Sequence, residues 1–144
     1  MPTAGGNAVR LNEDELNRFG ETVGASVRPP VVVGLSGDLG TGKTTLVQAM
    51  CRGLGARARA TSPTYALVHE SETAAGVPIY HVDCYRLERP DEARELGFDD
   101  MIREGAVVLI EWPERAGLWA PRLDRHFRLR HGPRPDLREL EEAR

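Results

Sequence analysis

The sequence predicts a single α/β domain with a mostly parallel central sheet flanked by helices. Two continuous apolar runs, at residues 31–35 and 106–110, are typical of strands that are buried on both faces. The first run is followed, after a glycine-rich segment, by apolar residues at helical spacing: Leu46, Val47, Met50, Cys51 and Leu54. A chain of 144 residues leaves no room for a second substrate domain.

The glycine-rich segment is Gly37-Asp38-Leu39-Gly40-Thr41-Gly42-Lys43-Thr44, a full match to the phosphate-binding pattern G-x-x-x-x-G-K-S/T. Lys43 is the only lysine among nineteen basic residues, so the compact ammonium is kept where the pattern needs it. The glycines let backbone N–H groups turn toward one point, which the positive end of the helix dipole also faces. The domain is therefore predicted to be P-loop NTPase-like, with these candidate nucleotide-binding residues: Gly37, Asp38, Leu39, Gly40, Thr41, Gly42, Lys43, Thr44 and Thr45.

Carboxylates follow two of the predicted strands. Glu111 ends the run at residues 106–110, and Asp83 ends the run at residues 79–82. Open α/β sheets bind ligands outside the carboxyl ends of their strands, and a nucleotide-bound Mg²⁺ needs hard oxygen ligands besides the phosphates. The hydroxyl of Thr44, in the first turn of the helix, is the usual further magnesium ligand of this loop. The two carboxylates are therefore candidate partners of the phosphate loop.

Around this loop, the chain is predicted to divide into three parts. Residues 1–10 are expected to form a loose N-terminus, residues 11–131 the P-loop domain, and residues 132–144 a charged tail with a helical pattern. Asn12 and Glu15 form a capping-box pattern at the start of the first helix of the domain.

The composition indicates a cytoplasmic protein. No apolar stretch approaches the roughly twenty residues of a membrane helix, and the N-terminus has no apolar signal-peptide core. The only cysteines, Cys51 and Cys84, fall within predicted regular structure, so reduced thiols are expected. The net charge of −3 argues against a protein that coats nucleic acid generally.

Four blocks of the sequence resemble the bacterial TsaE family, also called YjeE. They are the phosphate loop at residues 37–45, Ser62-Pro63-Thr64-Tyr65, His81-Val82-Asp83-Cys84-Tyr85-Arg86 and Glu111-Trp112-Pro113, in the order and spacing of the family. The resemblance covers residues 11–129 and implies a P-loop ATPase that uses ATP and Mg²⁺. It implies action with TsaB and TsaD in the complex that attaches threonylcarbamoyl to N6 of adenosine 37 in tRNA. In that complex the ATPase is not the transferase, it is weak alone, and it meets tRNA only indirectly.

The resemblance also implies roles for single residues. Lys43 and the loop amides would hold the β- and γ-phosphates, and Thr44 and Glu111 would ligate magnesium. Asp83 would lie near the metal and the attacking water, either as a base or in the second coordination sphere. The implied catalytic residues are thus Asp83, Lys43 and Glu111. Residues 62–65 resemble the switch loop of the family, the alternative being a plain turn fixed by proline.

Three features outside the loop leave more than one interpretation open. Trp112 flanks the nucleotide or a partner surface, or it is a core aromatic residue. From Arg115 to Arg138 there are seven arginines against two aspartates, which indicates a patch for tRNA phosphates or an acidic partner, or the solvated face of an edge strand. The family places some adenine contacts near the N-terminus, so residues around Glu13 are candidates.

Other functions can use the same loop. A small-molecule kinase needs an acceptor pocket and usually a lid, for which the chain offers little length. A nucleotide-binding scaffold with little hydrolysis needs neither. A regulatory GTPase is excluded, because its N-K-x-D motif requires a lysine besides Lys43.

Overall fold

The computed structural model describes residues 8–58 and 67–143 of the chain. Within these ranges eight strands form one sheet, which three α-helices and three 3-10 segments cover. The strands are β1 (Val9–Leu11), β2 (Val31–Ser36), β3 (Arg57–Ala58), β4 (Val68–Glu72), β5 (Pro78–Asp83), β6 (Val107–Glu111), β7 (Arg125–His131) and β8 (Arg138–Ala143). The helices are α1 (Glu13–Ser26), α2 (Lys43–Gly53) and α3 (Phe98–Arg103), and the 3-10 segments are Cys84–Arg86, Pro90–Leu96 and Pro113–Trp119.

The sheet is mixed, with the strand order β1-β8-β7-β2-β6-β5-β4-β3. The central pairs β7–β2, β2–β6 and β6–β5 are parallel. The pairs on both sides of them are antiparallel, so the expectation of a mostly parallel sheet was wrong. The apolar runs of β2 and β6 indicate strands that are buried on both faces, and only the strands at the centre of the sheet are buried in this way. These runs therefore do not predict the direction of the outer strands. The outer strands β4–β5 and β7–β8 are joined by short turns, and a short turn returns the chain antiparallel.

The charged C-terminal segment forms strand β8 and not the helix that its pattern suggested. Leu140 is buried in the core, and neighbouring glutamates pair across to β7: Arg125 donates to Glu142 at 2.8 Å, and Arg130 donates to Glu141 at 3.2 Å. Because β7 lies between β2 and β8, it is an interior strand, and the edge-strand interpretation of the arginine-rich segment was also wrong. Cross-strand ion pairs of this kind favour the strand over the helix, and local spacing does not reveal them.

The N-terminal residues join the same sheet. Val9 and Arg10, which were expected to belong to a loose terminus, form β1 with Leu11 and pair with β8. The capping box then starts α1 as predicted: Glu15 N donates to Asn12 Oδ1 at 2.8 Å, and Asn12 N donates to Glu15 Oε1 at 3.0 Å. Among the described helices, none has the length and apolar character needed to span a membrane.

Alternate residues of the central strands face two apolar cores, one on each face of the sheet. On one face α1 and α2 pack against each other and against β2. Their backbones approach closely at Gly24, where a Cβ would lie 2.1 Å from the carbonyl oxygen of Met50. On the other face α3 and the 3-10 segments cover the sheet. This packing holds α2, and the loop that precedes it, rigidly at the end of β2.

Candidate nucleotide-binding site

The predicted phosphate loop connects β2 to α2 at the carboxyl edge of the parallel strands. All three of its glycines have a positive φ: 147° at Gly37, 75° at Gly40 and 103° at Gly42. A Cβ at Gly37 would lie 2.3 Å from the carbonyl oxygen of Leu129, so a larger residue does not fit there. Gly42 is the N-cap of α2 and has no side chain to bond the first N–H groups of the helix, which therefore remain available to an anion.

Lys43 lies inside the loop and is only 5% exposed. Its Nζ atom donates to the carbonyl oxygens of Gly37 at 2.6 Å and Asp38 at 2.7 Å, and it lies 4.6 Å from the ring centre of Trp112. Burial lowers the pKa of the ammonium, and nearby carboxylates oppose this effect, that of Glu111 most strongly. The direct contacts of the ammonium are thus two neutral carbonyl oxygens and an aromatic ring. An anionic phosphate can replace these contacts.

The carboxylate of Glu111 is buried between two polar side chains. Thr44 Oγ1 donates to Glu111 Oε1 at 3.1 Å, and His81 Nε2 lies 2.6 Å from Oε2. The structure therefore brings the two predicted magnesium ligands together. Sequence reasoning assigned no role to His81. The sequence feature that could have identified His81 is the alternation of side chains along β5. It puts His81 and Asp83 on the same face of the strand, beside the strand that carries Glu111.

Asp83 lies opposite Glu111 in the register of β5 and β6. Its Oδ1 accepts a hydrogen bond from the backbone N–H of Tyr85 at 3.0 Å, so the side chain also caps the 3-10 segment that follows. Asp83, Lys43 and Glu111, the three candidate catalytic residues, line one cleft of about 300 Å³.

The same cleft is lined by further candidate nucleotide-binding residues: Leu39, Gly40, Gly42, Thr44 and Thr45. The remaining three, Gly37, Asp38 and Thr41, are not among its lining residues. Thr41 is fully buried, and its hydroxyl donates to the carbonyl oxygen of Asp38 at 2.7 Å. These three residues contribute to the conformation of the loop and do not line the cleft.

A second cleft of about 490 Å³ adjoins the first, and Gly42, Thr45 and Arg138 line both. Glu13, which was a candidate for adenine contacts, lines the second cleft. Arg138 begins β8 and donates to the carbonyl oxygen of Pro135 at 2.8 Å. Sequence reasoning placed Arg138 only at the end of the arginine-rich segment, because no local pattern connects it with a loop so far away in the chain.

Trp112 is a wall of the first cleft and also packs partly against the core. Its backbone is left-handed, with φ 58° and ψ 50°, a conformation that costs a bulky residue about 1–3 kcal/mol. Its ring lies 5.0 Å from the ring of Tyr85, centre to centre. The candidate switch loop at residues 62–65 lies outside the described residues.

The buried strand, the glycine-rich loop and the helix, with a carboxylate at the end of the adjacent parallel strand, define a P-loop protein of the α/β class. Residues 11–138 match the family model described as threonylcarbamoyl adenosine biosynthesis protein TsaE, and the chain belongs to this family. The resemblance of the four sequence blocks is thereby confirmed.

Curated relatives agree with this assignment. The tRNA threonylcarbamoyladenosine biosynthesis protein TsaE of Haemophilus influenzae is 44% identical over 94 residues, which are 65% of this chain and 59% of that protein. The protein of the same name from Bacillus subtilis is 36% identical over 102 residues, or 71% of this chain and 63% of that protein. The matches thus span about three fifths of these relatives. The crystal structure of Bacillus subtilis YdiB has a TM-score of 0.72 and 28% identity, and the match covers 92% of this chain and 81% of that one.

Proposed function

We propose that this chain is the ATP-binding and ATP-hydrolysing subunit required for tRNA N6-threonylcarbamoyladenosine modification, and that it acts with TsaB and TsaD. The observation that carries the proposal is the convergence of Lys43, Thr44, Glu111 and Asp83 on one cleft at the phosphate loop. The curated relatives named for tRNA threonylcarbamoyladenosine biosynthesis support the pathway.

The described residues fit a magnesium ion that is bound with a nucleotide. Thr44 and Glu111 present a hydroxyl and a carboxylate side by side, and Mg²⁺ prefers such hard oxygen donors. No three His, Cys, Asp or Glu side chains form a metal cluster in the ranges that the structure describes. Few protein ligands suffice, because Mg²⁺ fills its other positions with phosphate oxygens and water. When bound, the ion would neutralise charge on the phosphates.

In the proposed reaction, a water oxygen bonds to the γ-phosphorus of ATP while the bond from that phosphorus to the β–γ bridging oxygen breaks. ADP leaves with the bonding electron pair, and a proton of the water passes to Asp83 or to the departing phosphate. Lys43 and the first N–H groups of α2 would bind the phosphate oxygens and hold them in line with the water.

Exposed apolar side chains, two of them at the cleft, support a dependence on partners. Large apolar residues that remain exposed in the described ranges are Leu39, Tyr85, Leu118 and Trp119. Leu39 and Tyr85 line the cleft, and Leu118 is completely exposed. Such side chains beside a functional cleft suit a surface that another protein covers. Docking of TsaB and TsaD there would also restrict the access of water to the phosphates.

ATP turnover by the purified chain tests the proposal, measured alone, with TsaB and TsaD, and with tRNA added. We expect ATP binding and slow hydrolysis by the chain alone, and a clear increase with the partners. A Lys43→Ala variant serves as the inactive control. If saturating partners leave turnover unchanged while ATP still binds, the chain is a nucleotide-binding scaffold and the proposed catalytic function is wrong. Transfer of phosphate to a nucleoside instead of water would indicate a kinase.

A further inference from the structure

Arg115 packs against two aromatic side chains of the cleft. The guanidinium carbon of Arg115 lies 4.7 Å from the ring centre of Tyr85 and 5.4 Å from that of Trp112. Both rings line the cleft. The ring of Trp112 also holds the ammonium of Lys43, at 4.6 Å. One indole therefore lies close to both the phosphate-loop lysine and Arg115.

Arg115 has no anionic partner among the described residues, unlike arginines such as Arg52 and Arg125, which pair with glutamates. The neighbouring carboxylate, Glu114, is engaged elsewhere, because it accepts from Ser36 Oγ at 2.8 Å. The side chain of Arg115 is exposed and rests on two aromatic faces, an attraction that is weak at exposed sites. Its planar fork of N–H donors thus remains available to an anion, and little resists its movement.

Backbone hydrogen bonds fix the position of Arg115 relative to Trp112 and β2. Trp112, in its left-handed conformation, donates from its N–H to the carbonyl oxygen of Leu35 at 3.0 Å, next to the start of the phosphate loop. The N–H of Arg115 donates to the carbonyl oxygen of Trp112 at 3.0 Å, which closes a turn. A strained turn attached to β2 therefore fixes the backbone of Arg115 next to Trp112, which lines the cleft, and strain of this kind is retained where surrounding structure imposes it.

We infer that Arg115 is a catalytic residue, a cis arginine that stabilises the transition state of ATP hydrolysis. The inference rests on the proposed function. Arg115 leaves the two rings and donates to the γ-phosphoryl oxygens, where negative charge develops as the bond to ADP breaks. Arg86 follows Asp83 closely in the sequence but, among the described residues, makes no cation–π contact with the two rings that line the cleft.

The test measures single-turnover ATP cleavage, with protein in excess over ATP, in the presence of TsaB and TsaD. Arg115→Ala should lower the cleavage rate by about 100-fold, the order expected for one lost transition-state donor, and change the ATP dissociation constant by less than about threefold. Arg115→Lys, which keeps the charge but loses the fork, should restore only part of the rate. Arg86→Ala, the matched control, should cleave ATP at the wild-type rate.

A second readout does not depend on turnover. Affinity for ADP with aluminium fluoride, which mimics the transferring phosphoryl group, should fall at least about tenfold in Arg115→Ala and stay unchanged in Arg86→Ala. Cleavage and analogue binding at wild-type levels in Arg115→Ala would overturn the inference and leave the proposed function standing. A loss in Arg86→Ala alone would assign the role to Arg86. Absence of ATP binding or cleavage in the wild-type protein with its partners would reject the proposed function and this inference together.

Discussion

Replacing Lys43 by methionine tests the phosphate loop most directly, because methionine keeps an apolar stem and loses only the ammonium. In the structure, Nζ already donates to the carbonyl oxygens of Gly37 and Asp38, at 2.6 and 2.7 Å. ATP binding must exchange these acceptors for phosphate oxygens, so only the difference between the two sets contributes to affinity. We take this difference as one hydrogen bond to a charged group, about 1.5–3 kcal/mol. The affinity for ATP should therefore fall by roughly 10- to 150-fold.

Calorimetric titration of ATP with Mg²⁺ into the wild-type protein and Lys43→Met measures this loss. Gln48→Met is the matched control, because Gln48 is exposed on the same helix and should bind ATP normally. The temperature of unfolding of each variant, measured by circular dichroism, separates a lost contact from a collapsed loop. Affinity within twofold of wild type in a folded Lys43→Met protein would mean that this loop does not hold the phosphates.

Three further substitutions and one chemical probe examine other residues. Glu111→Gln should weaken nucleotide binding with Mg²⁺ more than without it, whereas Asp83→Asn should keep ATP binding and lose turnover; equal binding losses would merge the two residues into one metal site. Gly24→Ala should lower the free energy of unfolding in urea by about 1–3 kcal/mol, because the new Cβ would lie 2.1 Å from the carbonyl oxygen of Met50. This loss should exceed the gain from the better helix propensity of alanine. An unchanged urea midpoint would show that α1 and α2 can separate freely. Burial raises the pKa of the Cys84 thiol to about 12. At pH 8 this thiol should therefore react with Ellman's reagent far more slowly in the native protein than in denaturant. Equal rates would contradict its buried position.

The elements that the sequence predicts well are those that a short stretch determines. The capping box of α1 depends on Asn12 and Glu15, three residues apart, and its hydrogen bonds form as the pattern indicates. The phosphate loop depends on glycines at fixed spacing between an apolar strand and a helix. Strand β8 was misjudged because its run of charged residues suits a helix as well as a strand. Ion pairs between residues on different strands, such as Arg125–Glu142, favour the strand.

Two arginines that lie at the cleft or next to its lining residues come from distant parts of the chain and were missed for the same reason. Arg138 comes from β8, and Arg115 comes from the 3-10 segment after β6. Neither belongs to a local pattern, and each is one of eighteen arginines in the sequence. The strand order brings Arg138 to the cleft, and the left-handed turn at Trp112 brings Arg115 next to residues that line it.

The wrong expectation for the sheet did not displace the predicted site, and the register explains why. Leu35, two residues before the loop, lies opposite Glu111, and Glu111 lies opposite Asp83, so β2, β6 and β5 end at the same level. These three strands are parallel, and parallel neighbours bring their carboxyl ends to one edge. A shift of β5 by one residue would turn both His81 and Asp83 to the opposite face of the sheet, away from Glu111, because side chains alternate along a strand. The chemistry of the cleft therefore depends on the register of three strands, and the outer strands contribute to it only through Arg138 among the described residues.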